Sequence, residues 1–245
     1  MTDNKIKQLS VPKLLLLVFI PAILIFGTYF WATQFEAVIP PFLSFTVIIL
    51  IILIPSEIGI ILFFSKRETN HLNLLSAFIK HEKMPVYKII GISAVLILIG
   101  GIVFTFVSPI ERNIMFHTIY QNVPEYFKLS DFFIHYKDYP RCIIIISFIL
   151  YAVSNGILGP IAEELYFRGF LMPRINRFGN WTPVIITVLF SAYHLFSPWE
   201  FLTRIIACLP FVYCVYKKKN IYIGMIVHCT LNTASVIMAV LSLLK

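Results

Sequence analysis

Charge is scarce in this chain. Only 13% of its 245 residues are Asp, Glu, Lys or Arg, while 59% are hydrophobic and the mean hydropathy is +0.86. That scarcity excludes an ordinary soluble globular domain. Acid is scarcer still, with 12 Asp and Glu against 20 Lys and Arg, for a net charge of +8. The positive excess sits in short connections between apolar runs, so it points to anionic lipid rather than to nucleic acid as a partner. Cysteine is sparse as well. Cys142, Cys208, Cys214 and Cys229 all fall in apolar stretches without C-x-x-C spacing. They read as small buried hydrophobes, not as disulfides or metal ligands. There is no H-E-x-x-H, no evident internal repeat and no low-complexity segment.

What the chain has instead is a series of apolar runs of spanning length, at 14–31, 42–64, 89–107, 142–158, 181–196, 201–216 and 221–244. They predict an all-α protein, a polytopic transmembrane helical bundle of about seven to eight membrane helices. The eighth is the segment after residue 158, which either lies at the membrane surface or re-enters the membrane. The first run has no clear cleavage site after it and reads as a retained helix. Lys and Arg collect in the N-terminus, 65–88, 168–177 and 217–219, which the positive-inside rule assigns to the cytoplasm, N-terminus included. Richness in Ile, Phe, Lys and Asn, which AT-rich codons favour, points to a bacterial cell membrane. In the polar connection 108–141, Tyr120, Tyr126, Phe127, Phe132 and Phe133 suggest short interfacial helices. Pro55 should kink the second span. Glu57 beside it either lines a site or caps that kink.

The stretch around which the rest is organised is G-P-I-A-E-E-L-Y-F-R-G-F-L-M-P-R, from Gly159 to Arg174. Charge among such residues is costly and marks a functional site by default. One turn of helix separates Glu164 from Arg168, so these two should pair. Glu163 points roughly 140° away from Arg168 and must find its partner on another helix. A solvated acidic pair at the membrane surface is the alternative. His71, His81, His117 and His135 lie in polar loops, whereas His194 and His228 lie inside apolar runs. Phe190 precedes His194 by one turn and can pack over its ring. Gly224, His228, Asn232 and Ser235 form a small and polar stripe that should turn inward, either to line a wet cavity or to join helices by hydrogen bonds.

Taken in order, Glu-Glu-x-x-x-Arg, Phe-x-x-x-His and His-x-x-x-Asn resemble the motif set of the type II CAAX prenyl endopeptidases, the CPBP or Abi family of intramembrane proteases. The resemblance covers residues 142–245, which it marks as the catalytic core among the late helices. Residues 1–141 form N-terminal membrane helices and interfacial loops of the same membrane domain. The resemblance implies Glu163 as the general base that activates water, His194 as a second water-binding group, and His228 and Asn232 as oxyanion donors. Glu164 and Arg168 it implies as structural support. Peptide hydrolysis needs such groups: a base for water and donors for the tetrahedral oxygen. Two mechanisms stay open, a cofactor-free glutamate mechanism and a zinc site built from Glu163, His194 and His228. The favoured one is metal-free. The implied substrates are membrane-associated peptides: a peptide pheromone or bacteriocin precursor, or a prenylated tail. The expected cavity opens toward the cytoplasmic side. A non-catalytic bacteriocin-immunity or regulatory membrane protein on the same scaffold is the alternative, and a small transporter is disfavoured by the lack of a repeat.

Overall fold

The computed structural model describes residues 6–35, 38–77, 82–122 and 139–243. Among these there is no strand; the elements are helices joined by short turns. Helix α1 is Val11–Ala32, α2 is Pro41–Thr69 and α3 is Val86–His117. Helix α4 begins as Arg141–Val153 and keeps helical dihedrals through Ser154–Leu158, Gly159–Glu163 and Glu164–Leu171. A tighter stretch, Met172–Trp181, follows. Then come α5 (Thr182–Tyr193), α6 (Phe201–Lys218) and α7 (Ile221–Leu243).

Among the described residues, six helical runs are long and apolar enough to cross a membrane. One of them, Arg141–Tyr193, doubles back on itself. Its chain leaves helical dihedrals at Ile175 and at Gly179, where φ is 55°. Glycine suits that left-handed backbone, which a side chain would strain. Outward faces carry exposed Leu16, Ile51, Ile90, Phe106, Ile145 and Ile237. The protein is an integral, multi-pass membrane protein, as its composition predicts.

The boundaries correct the sequence reading in two places. The Glu-Glu segment is not a separate helix; it continues α4. Helix α3 runs on to His117, well past residue 107, so Ser108, Glu111 and Arg112 are helical. Their polarity makes the apolar run look finished. Glu111 is spent on α6, whose backbone N–H groups at Leu202 and Thr203 each donate to its carboxylate at 2.7 Å. A carboxylate at a helix N-terminus satisfies orphan donors and meets the positive end of the dipole. Tyr126, Phe127, Phe132, Phe133, His81 and His135 lie outside the described residues. His71 and His117 are exposed.

Prolines shape the two long helices that flank the site. In α2 a wide π-type turn at Ile49–Leu53 precedes Pro55, and in α4 another at Ser154–Leu158 precedes Pro160. A proline ring collides with the carbonyl four residues back and offers no N–H to it. A wider turn makes room for the ring. The helices touch at these turns: Ser154 donates to Thr46 Oγ1 at 3.3 Å, and a Cβ on Gly159 would lie 3.6 Å from Ile49. At the basic end, the segment before α1 straps the 172–181 turn. Leu9 N donates to the Arg174 carbonyl at 2.8 Å, and Arg174 pairs with Glu68 of α2 at 2.7 Å.

Candidate active site

The turn after α4 brings α5 back so that His194, just past its end, meets Glu163. His194 is where the chain leaves the helix, at φ −78° and ψ 59°. Nδ1 of His194 lies 2.8 Å from the Phe190 carbonyl. A carbonyl only accepts, so Nδ1 carries the proton and, in the neutral ring, Nε2 is left as an acceptor. The Phe190 ring packs edge-on against His194, with centroids 4.7 Å apart, as the one-turn spacing predicts. Nε2 of His194 is 3.8 Å from Oε1 of Glu163.

His228, on α7, approaches the same acid from the other side. Its Nε2 is 3.6 Å from Oε2 of Glu163, and its Nδ1 is 3.0 Å from Oε1 of Glu164. The two acids therefore share a partner, one on each ring nitrogen. Glu164 also meets Arg168, at 2.9 Å, and both side chains are fully buried. That approach is off hydrogen-bond alignment, and no guanidinium nitrogen of Arg168 has a hydrogen-bond partner among the described residues. Arg168 rests instead on aromatic faces, 4.3 Å from the Phe190 centroid and 5.1 Å from that of Phe211. Cation–π contact of this kind is strongest when desolvated. Gly224 is what lets Glu164 sit here: a Cβ at that position would lie 2.5 Å from Oε2 of Glu164.

Asn232 is held by the π-type turn. Pro160 has no N–H to give to the carbonyls of Asn155 or Gly156, and the wide turn sends Gly159 N to the Ser154 carbonyl instead. Asn232 Nδ2 donates to the Asn155 carbonyl at 3.0 Å, and Thr233 Oγ1 donates to that of Gly156 at 3.3 Å. Freed backbone groups in a membrane helix must be satisfied by neighbours, and here α7 supplies them. An amide nitrogen has two hydrogens, so one remains for another acceptor.

Glu163, His194, His228 and Asn232 all line one cavity of about 490 Å³. Apolar walls come from Phe45, Ile49, Phe104, Phe211 and Leu231, and its far end is polar, with Arg112, Ser197, Glu200 and Arg204. Helices α3 and α7 touch where Gly100 faces Leu231, a Cβ there lying 2.7 Å from Leu231 Cδ1. Further along both helices, exposed Thr105, Ser235 and Met238 line the cavity. The polar end lies away from the basic turns. Arg204 stands near the start of α6 and Lys217 and Lys218 at its finish, so the cavity reaches toward the end of the bundle opposite the basic turns.

Two groups near the site escape a reading of the sequence, and a third, Glu57, stands elsewhere than either reading of it placed it. Arg204 is an arginine inside an apolar run, and the rule that flags Glu163 flags it too once it is applied there. The Asn155 carbonyl leaves only the trace of Pro160. Glu57, conspicuous as an intramembrane acid, neither lines the cavity nor caps the Pro55 kink; Ser56 Oγ donates to the Leu53 carbonyl at 2.9 Å, and Glu57 accepts instead from Tyr193. As for metal, no group of three or more His, Cys, Asp or Glu side chains among the described residues is arranged to hold an ion.

Fold and site together define a multi-pass membrane protein with a buried glutamate, two histidines and an asparagine on one cavity. The family model described as "Type II CAAX prenyl endopeptidase Rce1-like" matches residues 145–234. Across that stretch, from the first turns of α4 into α7, the chain is similar to the CPBP/Abi family of membrane CAAX proteases. Comparison with curated proteins and with solved structures found no match to the chain.

Proposed function

We propose that the protein is an intramembrane endopeptidase in which Glu163 activates water without a metal. The observation that carries this reading is the placement of Glu163 between two imidazoles, at 3.8 and 3.6 Å. Those separations are too long for direct hydrogen bonds and suit one bridging water. Such a water gives one hydrogen to Glu163 and the other to Nε2 of His194. Its lone pair then points at a peptide carbonyl in the cavity. Glu163 takes the proton as the bond to carbon forms and returns it to the leaving amine. Nε2 of His228 and the second N–H of Asn232 face the developing oxyanion. In that role His228 donates from both nitrogens, with Glu164 as its counter-charge.

The metal-free form is supported by the supply of acids. A zinc ion held by Glu163 would leave no second acid at the two imidazoles to serve as base, because Glu164 is engaged by Arg168 and His228 and Glu200 stands at the cavity's far end. The substrates that suit a cavity part apolar and part polar are membrane-associated peptides, such as pheromone or bacteriocin precursors or prenylated tails. The test is mass-spectrometric detection of cleavage by the purified protein across those peptide classes. A product cut at one defined bond supports the reading. Absence of turnover on every class, with the protein folded, would favour a non-catalytic immunity or regulatory role.

A further inference from the structure

Glu57 is an acid in the interior of a membrane protein, on α2, outside the stretch that carries the family match. It is fully buried. Such a residue is expensive to keep. Oε1 accepts a hydrogen bond from Tyr193 Oη at 3.0 Å, and Oε2 has no hydrogen-bond partner among the described residues. Its electrostatic neighbours are Glu163, Arg168 and Glu164. Tyr193 is also fully buried; it is the last residue of α5, immediately before His194. Its ring sits 5.2 Å from Phe167 and 5.4 Å from His194, centroid to centroid.

We propose that Glu57 is a positioning residue of the site, which sets His194 by holding Tyr193. Helix ends fray unless something ties them down. Here α5 stops at the residue before the one that must face Glu163, and the chain turns at once: Leu195 N donates to the Tyr193 carbonyl at 2.8 Å, and Ser197 N to that of His194 at 3.0 Å. A short local turn does not fix where the end of α5 stands against α4. The bond from Tyr193 to Glu57 does, because it reaches from α5 across to α2. The ring of His194 is already aimed by the Phe190 carbonyl; Glu57 sets the place of the backbone that carries it. Displacement of a catalytic group by about 1 Å costs on the order of a hundred-fold in rate.

The kinetic part of the test rests on the peptidase reading, and the spectroscopic part does not. In the purified protein, Glu57→Leu should lower kcat on a cleaved peptide by about a hundred-fold with KM little changed, while Glu57→Gln, whose carbonyl still accepts from Tyr193, should restore most of it. Tyr193→Phe should match Glu57→Leu, and the double variant should be no worse than either, as coupled partners require. The second readout is the His194 ring resonance in protein labelled with ¹³C at histidine, assigned through His194→Gln. It should move in Glu57→Leu and Tyr193→Phe and return in Glu57→Gln, with the His71 and His117 signals unchanged. A His194 signal unmoved in folded Glu57→Leu or Tyr193→Phe overturns the proposal even if peptides are cleaved. A moved signal with Gln rescue upholds it even if no peptide is cleaved, and then only the peptidase reading fails.

Discussion

Nδ1 of His228 stands 3.0 Å from Oε1 of Glu164, on the opposite side of the ring from Glu163. The acid beside the proposed base thus orients that base's neighbour while also meeting Arg168. Removing one member of a buried charged set leaves the others uncompensated, at a cost of roughly 3–5 kcal/mol. Glu164→Gln should therefore lower the melting temperature in detergent well below that of Glu163→Gln, and it should weaken activity as well. Thermal unfolding of the two variants side by side checks this. Equal stability, with activity lost only from Glu164→Gln, would reverse the roles of the two acids.

Gly224 gives an independent probe of the same cluster. A methyl carbon at this position would stand 2.5 Å from Glu164 Oε2, closer than carbon and oxygen tolerate. Gly224→Ala should push the carboxylate off His228 and Arg168. The expected loss is about 1–3 kcal/mol from overpacking, despite alanine's better helix propensity. A melting curve at or above the wild type's would show that Glu164 has room to move.

Asn232 should split stability from rate. Asn232→Ala removes one proposed oxyanion donor, worth about a hundred- to a thousand-fold in kcat. It also strands the Asn155 carbonyl, at about 1–3 kcal/mol. A slow but measurable enzyme with a lowered melting temperature is the expected result. Full activity would remove Asn232 from the oxyanion role and leave it as the partner of the α4 turn.

Much of the site is legible in the sequence because membrane interiors make polarity conspicuous. Glu163, His194, His228 and Asn232 each stand out against an apolar helix, and Glu164 with Arg168 follows from one turn of helix. What stays hidden is what joins distant helices. Nothing in a one-turn spacing connects Glu164 to His228, or Glu57 to Tyr193. The π-type turn that frees the Asn155 carbonyl looks, in sequence, like a helix about to break at Gly156, Gly159 and Pro160. Helix α3 looks shorter than it is because Ser108, Glu111 and Arg112 read as loop, whereas Glu111 is occupied in capping α6. The direction of the cavity is hidden for a related reason: the polar residues at its far end, Arg112, Glu200 and Arg204, reach the site only through the packing of α3 and α6.

Metal removal should change nothing. Purified active protein, assayed for metals and for activity after thorough chelation, should keep its activity without stoichiometric zinc. Zinc at one per chain, with activity lost on its removal and regained on its return, would replace the glutamate mechanism while leaving the same residues in the site.

The measurement that bears most directly on the central claim is the single-turnover cleavage rate of one membrane peptide by wild type and by Glu163→Gln, under identical detergent conditions. The substitution keeps the size of the side chain and removes the base. The account predicts defined cleavage by wild type and a rate near background for Glu163→Gln, with both proteins melting at similar temperatures. Cleavage by Glu163→Gln at a rate comparable to wild type would contradict it.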